Sequence, residues 1–221
     1  MREEYIKKIL EKLQERYPQS KITLNYTNWY ELLIATILAA QCTDKRVNIV
    51  TEKLFVKYKT LKDYGDADLK ELEKDIYSTG FYRNKAKNIK HLANKLIKKD
   101  KIPQSMDELI KLPGIGRKTA NVFLSNYLNK NEGVIVDTHM IRISNLLKLV
   151  HSKNPSIIEK KLNNIIPKKD YLLFSNLIIS LGRDTCIAKK PKCNICILQN
   201  ICPSANIKNP TKIEGEKSSV G

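Results

Sequence analysis

Three groups of residues have types and spacings that could do chemistry. The first is the run Leu112-Pro113-Gly114-Ile115-Gly116-Arg117-Lys118, where a G-x-G pair precedes two adjacent cations. Glycines at such a turn admit positive φ and let another chain approach the backbone N–H groups, which suits gripping a phosphate. The second is Asp137, in Val136-Asp137-Thr138-His139. The third is a set of four cysteines, Cys186, Cys193, Cys196 and Cys202, spaced C-x6-C-x2-C-x5-C with no histidine among them.

Arg117 and Lys118 fall where a helix should begin, although the positive end of a helix dipole disfavours cations. Like charge and desolvation would favour the neutral amine of Lys118, which makes it a candidate nucleophile. The plainer alternative leaves both as solvated phosphate ligands. Asp137 has a structural alternative too, since an aspartate before a helical run is a good N-cap. The cysteine spacing lacks the two close pairs of most structural zinc sites and favours an iron–sulfur centre, with zinc as the alternative. Between the first two cysteines, Lys189, Lys190 and Lys192 occupy a loop that such a centre would tie down at both ends, where they could neutralise phosphates.

The elements that must position these groups read as helices throughout. Tyr5, Ile6, Ile9, Leu10, Leu13 and Tyr17 form an amphipathic stripe stopped by Pro18. Residues 28–40 are apolar nearly all round, as a central buried helix would be. A helix capped by Thr43 or Asp44 follows, then one capped by Asp66 and closed by Gly80. The next carries Ala86, Ile89, Ala93, Leu96 and Ile97 inward. Ser105 to Glu108 spell a capping box, and Ala120, Phe123, Leu124, Tyr127 and Leu128 mark the helix after the G-x-G turn. Pro155 and Asp170 open two more helices. The expected fold is all-α, in two lobes with a cleft between them. One spans 22–132; the other joins 1–21 to 133–203; 204–221 is a flexible tail.

Two loops carry further candidates. Gln41 is polar at the mouth of the core helix, with Asp44 nearby as a weaker pocket residue; an ordinary loop amide is the alternative. Phe81 and Tyr82 stand beside Arg83 and Lys85, pairing stacking surface with phosphate charge, unless either aromatic packs into the core. Lone Cys42 reads as a small buried residue.

The chain has 221 residues, with 40 Lys+Arg against 23 Asp+Glu, a formal charge of +17. That points to a polyanionic partner, nucleic acid or membrane surface. The longest apolar run is far short of the ~20 residues of a bilayer span, and the N-terminus has no signal-peptide pattern. We expect an intracellular protein with cysteines in a reducing compartment.

Taken together, LPGIGRKTANVFL, VDTHMIR at 136–142 and the cysteine quartet resemble the endonuclease III family of DNA glycosylases, in the helix-hairpin-helix superfamily. The resemblance runs from about Gln41 to Cys202. It implies a [4Fe-4S] cluster on the four cysteines, a catalytic aspartate at Asp137 and a Schiff-base lysine at Lys118. It implies DNA contacts from Gly114, Gly116, Arg117 and the loop lysines, a plug at Gln41 and a wedge at Phe81. The implied activity is a bifunctional glycosylase and abasic-site lyase of base excision repair, acting as a monomer on duplex DNA with oxidised pyrimidines. Two other functions fit parts of the pattern: a mismatch glycosylase without lyase action, and a non-catalytic DNA-binding module with structural zinc.

Overall fold

The computed structural model describes residues 2–99 and 101–206. Eleven α-helices make up the described chain, and no strand occurs among those residues. They are α1 (Arg2–Arg16), α2 (Trp29–Leu38), α3 (Asp44–Lys57), α4 (Leu61–Asp66), α5 (Leu69–Asp75) and α6 (Tyr82–Lys99). After them come α7 (Met106–Ile110), α8 (Arg117–Tyr127), α9 (Thr138–Leu146), α10 (Pro155–Asn163) and α11 (Tyr171–Asp184). None is long and apolar enough to cross a membrane.

The apolar stripes meet in two separate cores. One gathers α2 to α8 around Leu33, Ile34, Leu92 and Phe123. The other packs α1 with α9, α10 and α11 around Leu13, Ile143, Phe174 and Ile178. The chain passes from one core to the other at Gly133, because Leu124 is buried in the first and Val134 in the second.

Helix α2 is the axis of the first core. Every residue from Glu31 to Leu38 is buried, and each Leu or Ile so placed contributes about 1.5–3 kcal/mol. Asn28 caps the helix by accepting from the Glu31 N–H at 3.0 Å. Its other end runs directly into the Gln41 loop.

Local caps fall close to the expected places, with informative differences. Thr43, not Asp44, caps α3 by accepting from Arg46 N–H. Asp66 is the last residue of α4, a helix absent from the sequence reading; Asp68 caps α5 by accepting from Glu71 N–H. The capping box at Ser105 is half formed: Ser105 accepts from Glu108 N–H, while the Glu108 carboxylate accepts from Gln104 N–H. Asp170 makes no side-chain cap on α11. Ile97, expected inside, is 43% exposed, whereas Lys85, near the other end of the helix, is buried. The expected tail reaches back to 204, yet the Ser204 hydroxyl donates to the Leu146 carbonyl at 2.8 Å, so the chain is still held there. Its remainder, 207–221, lies outside the described residues.

Candidate active site and iron–sulfur centre

The G-x-G turn joins α7 to α8 as a hairpin. Gly114 takes φ +77°, and a Cβ there would stand 3.0 Å from the Asn88 Cβ on α6, so both conformation and packing require glycine. Gly116 is different. Its backbone is extended, at φ −94°, and apart from its chain neighbours nothing lies within 4 Å of a Cβ built on it. The expectation of positive φ therefore holds for Gly114 alone. Gly116 leaves open space over the N-terminus of α8, where a strand backbone can come close.

Of the two cations that open α8, Arg117 is compensated. Its Nε donates to Glu159 Oε2 at 2.7 Å and its Nη2 to Glu159 Oε1 at 2.9 Å. Glu159, on α10 in the other core, is buried and also accepts from Asn121 Nδ2 at 3.1 Å. The pairing raises Arg117 above its usual value. Lys118, by contrast, makes no ion pair among the described residues. Lys118 is exposed.

Lys118, Asp137, Gln41 and Asp44 line one cavity of about 230 Å³ between the two cores. The Asp137 carboxylate caps α9, accepting from the Met140 N–H at 2.8 Å. A carboxylate tied through one oxygen keeps its remaining lone pairs for the cavity. Asp44 is held more tightly: its carboxylate accepts from the Thr23 hydroxyl and pairs with Arg183 of α11 at 2.8 Å. A wider depression of about 1170 Å³ shares Thr23, Asp44 and Arg183 with the cavity and also meets His139 and Cys42. Cys42 is half-buried, less enclosed than expected.

Gln41 and Phe81 are both in the left-handed region, at φ +55° and +49°. For residues with a Cβ this costs about 1–2 kcal/mol each, and such strain collects at functional sites. Phe81 is 63% exposed. Tyr82 is the aromatic that packs inward; its ring lies 4.8 Å from that of Tyr77 and 5.1 Å from the Arg83 guanidinium. Lys85 is not a phosphate ligand. It is buried, and its ammonium donates to the carbonyls of Leu38 and Thr79.

All four C-terminal cysteines line one small cavity of about 90 Å³, together with Ile143, Leu146, Leu181 and Leu198. Burial first, then the neighbouring thiols, pushes Cys186 and Cys196 up from the ordinary thiol value. Burial thus favours the neutral thiols, and a cationic centre bound there would be what holds the sulfurs as thiolates. Among the described residues no three His, Cys, Asp or Glu side chains are grouped around a single ion. All four cysteines nonetheless border that one cavity, and an all-thiolate donor set suits an iron–sulfur cluster. The loop they bracket is pinched at its neck, where the Thr185 carbonyl accepts from both Ile187 and Lys192 N–H groups at 3.0 Å. Lys189, Lys190 and Lys192 are exposed along it.

Residues 34–168 match the HhH-GPD superfamily of base excision DNA repair proteins, and 186–202 match the iron–sulfur binding domain of endonuclease III. The chain belongs to the endonuclease III family. It is 46% identical to the endonuclease III of Synechocystis sp. over 87% of this chain and 89% of the relative. It is 42% identical to that of Bacillus subtilis over the same shares. Solved structures of an endonuclease III in a non-covalent DNA complex and as a trapped covalent DNA intermediate superpose with TM-score 0.87 at 42% identity, covering 92% of this chain and 96% of theirs. The second match spans all four cysteines and establishes the [4Fe-4S] cluster as the cofactor of this segment.

Glu159, Arg183 and His139 carry no role in the sequence expectations, and Lys85 carries the wrong one, that of a phosphate charge. A signal existed for two of them. Glu159 precedes Leu162 and Ile166 by three and seven residues, and Lys85 precedes Ile89, Leu92 and Leu96 on one helical face. A charge on an apolar stripe is a charge with a buried partner. Arg183 and His139 meet their neighbours only through the tertiary fold.

Proposed function

We propose that the chain is a base-excision glycosylase with abasic-site lyase activity, acting on duplex DNA. The observation that carries this is that Lys118 of one lobe and Asp137 of the other line a single cleft at the foot of the hairpin. The lobes divide as 22–132 against 1–21 with 133–203.

The paired base of a duplex is out of reach, so the nucleotide must be extruded at a cost of a few kcal/mol, least for a damaged base. Gln41 and Phe81 occupy the gap, and the Gly114 and Gly116 N–H groups hold the strand beside it. The Lys118 amine attacks C1′ of the deoxyribose, and the C1′–N bond breaks with departure of the base, which takes up a proton. The Asp137 carboxylate stabilises the positive charge that builds on the sugar. Ring opening leaves an iminium between Lys118 Nζ and C1′. Loss of a C2′ proton then expels the 3′ phosphate, and hydrolysis frees the lysine.

The [4Fe-4S] cluster, held by Cys186, Cys193, Cys196 and Cys202, shapes the loop that presents Lys189, Lys190 and Lys192 to phosphates. Arg117 supports the hairpin through Glu159 rather than by reaching a phosphate. Oxidised pyrimidines are the substrate class, the protein acts as a monomer, and it works inside the cell at the DNA. Duplexes bearing one oxidised pyrimidine, one mismatch or one abasic site test this reading. Base release followed by strand scission on the first supports it. Base release on the mismatch alone, without scission of the abasic duplex, points to the mismatch glycosylase instead.

A further inference from the structure

Helix α6 carries the exposed lysines Lys87, Lys95, Lys98 and Lys99, while Lys90 is half-buried and donates to the Ala67 carbonyl at 2.6 Å. Lys85 is on the same helix but is only 4% exposed. Its Nζ donates to the Leu38 carbonyl at 2.8 Å and to the Thr79 carbonyl at 2.8 Å. Burying an ammonium costs several kcal/mol, and an apolar side chain would fill the same space more cheaply. What an apolar side chain would not do is join those two backbones.

The two carbonyls have particular positions. Leu38 is the last residue of α2, three residues before Gln41 at φ +55°. Thr79 ends a 3-10 turn, two residues before Phe81 at φ +49°. Helix-end carbonyls lack intrahelical donors, and here one ammonium supplies both. A single buried cation thus ties together the bases of two short strained loops, each bearing one of the residues assigned to the duplex gap.

We propose that Lys85 is a positioning residue that fixes the separation of the Gln41 and Phe81 tips so that both enter one gap in the duplex. The proposal rests on the gap-filling roles given to those two residues above. It does not place Lys85 in contact with DNA.

The test uses the fact that an abasic site in a single strand leaves no gap to fill. Cleavage of an abasic site is measured in duplex and in single-stranded DNA for wild type, Lys85→Met, Gln41→Ala with Phe81→Ala, and the triple variant. Lys85→Met should slow duplex cleavage on the order of 10- to 100-fold, as expected for a misplaced contact, and leave single-strand cleavage within about twofold. The triple variant should be no slower on duplex than the Gln41, Phe81 pair, since coupled residues are non-additive. Equal loss on both substrates, or unimpaired duplex cleavage, overturns the proposal. Should Lys85→Met fail to fold, Lys85→Gln keeps N–H donors but is one atom short and can span only one carbonyl. It should show a smaller loss confined to duplex, and equal loss on both substrates again overturns the idea. Two other outcomes overturn it for separate reasons. A wild type that cleaves neither substrate rejects the lyase reading, and a Gln41, Phe81 pair that matches wild type rejects the gap-filling roles.

Discussion

Arg117 and Glu159 are joined by two hydrogen bonds across 42 residues of sequence, at 2.7 and 2.9 Å, and so bind the first turn of the hairpin helix to the second core. Glu159 is buried, while the Arg117 side chain is 53% exposed. The two ends of this bridge are therefore unequal. Arg117→Ala leaves the buried Glu159 carboxylate with the Asn121 amide as its remaining donor and should cost about 1–3 kcal/mol, discounted for the solvent that reaches the guanidinium. Glu159→Gln keeps the shape and a carbonyl acceptor and should cost less. Urea unfolding of both variants and of the pair measures this, and additive costs would contradict direct coupling.

Asp137 has two roles that can be separated. Asn retains an oxygen able to accept from Met140 N–H, so Asp137→Asn should unfold within about 0.5 kcal/mol of wild type. Without the negative charge, base release should fall on the order of 10²–10³-fold. Asp137→Ala should lose the cap as well, at about 1 kcal/mol. Chemical denaturation and single-turnover base release, run on the same preparations, distinguish the two roles.

The cap and its helix were legible in the sequence because capping is local: one side chain, one N–H, three residues away. The same holds for Thr43 and Ser105. It failed at Asp66, where Asp68 offers the same chemistry two residues on and an intervening helix consumes the first. Long-range partners left weaker traces. Arg117 looked uncompensated because Glu159 packs in the other core, 42 residues on, and Lys85 passed for a phosphate charge because exposed Arg83 and Lys87 flank it. The hairpin, Lys118, Asp137 and the cysteines are arranged along the chain in runs, which is why they could be found there.

His139 provides a pH test. Burial is the main cause that lowers it from 6.5; Arg142, Arg183 and Lys118 push the same way and Asp137 opposes them. The unfolded chain therefore binds a proton that the folded one does not. That stability is complete above about pH 6.5 and is lost as pH falls from there towards the folded value, by at most about 1.4 kcal/mol per pH unit. His139→Gln should flatten the fall between pH 7 and 5. An unchanged slope in thermal or urea unfolding contradicts the burial argument.

The cysteine centre should bind iron and colour the protein brown. Cys193→Ser should bleach it and weaken duplex binding, because the lysine loop loses its frame. Replacing Lys189, Lys190 and Lys192 by Ala should keep the colour and make the salt dependence of binding shallower, by up to ~0.9 in log–log slope for each phosphate left without its lysine. Metal analysis with binding titrations at several salt concentrations checks both. A colourless zinc-loaded protein contradicts the assignment.

The central claim is that the Lys118 amine becomes covalently joined to the sugar. Wild type and Lys118→Ala are each mixed with a duplex holding one abasic site and treated with borohydride, which reduces an iminium to a stable amine link. The account predicts a DNA adduct in wild type, mapped to Lys118, and none in the variant, which still binds the duplex. An adduct of equal yield in the variant, or no adduct in a wild type that binds the duplex, contradicts it.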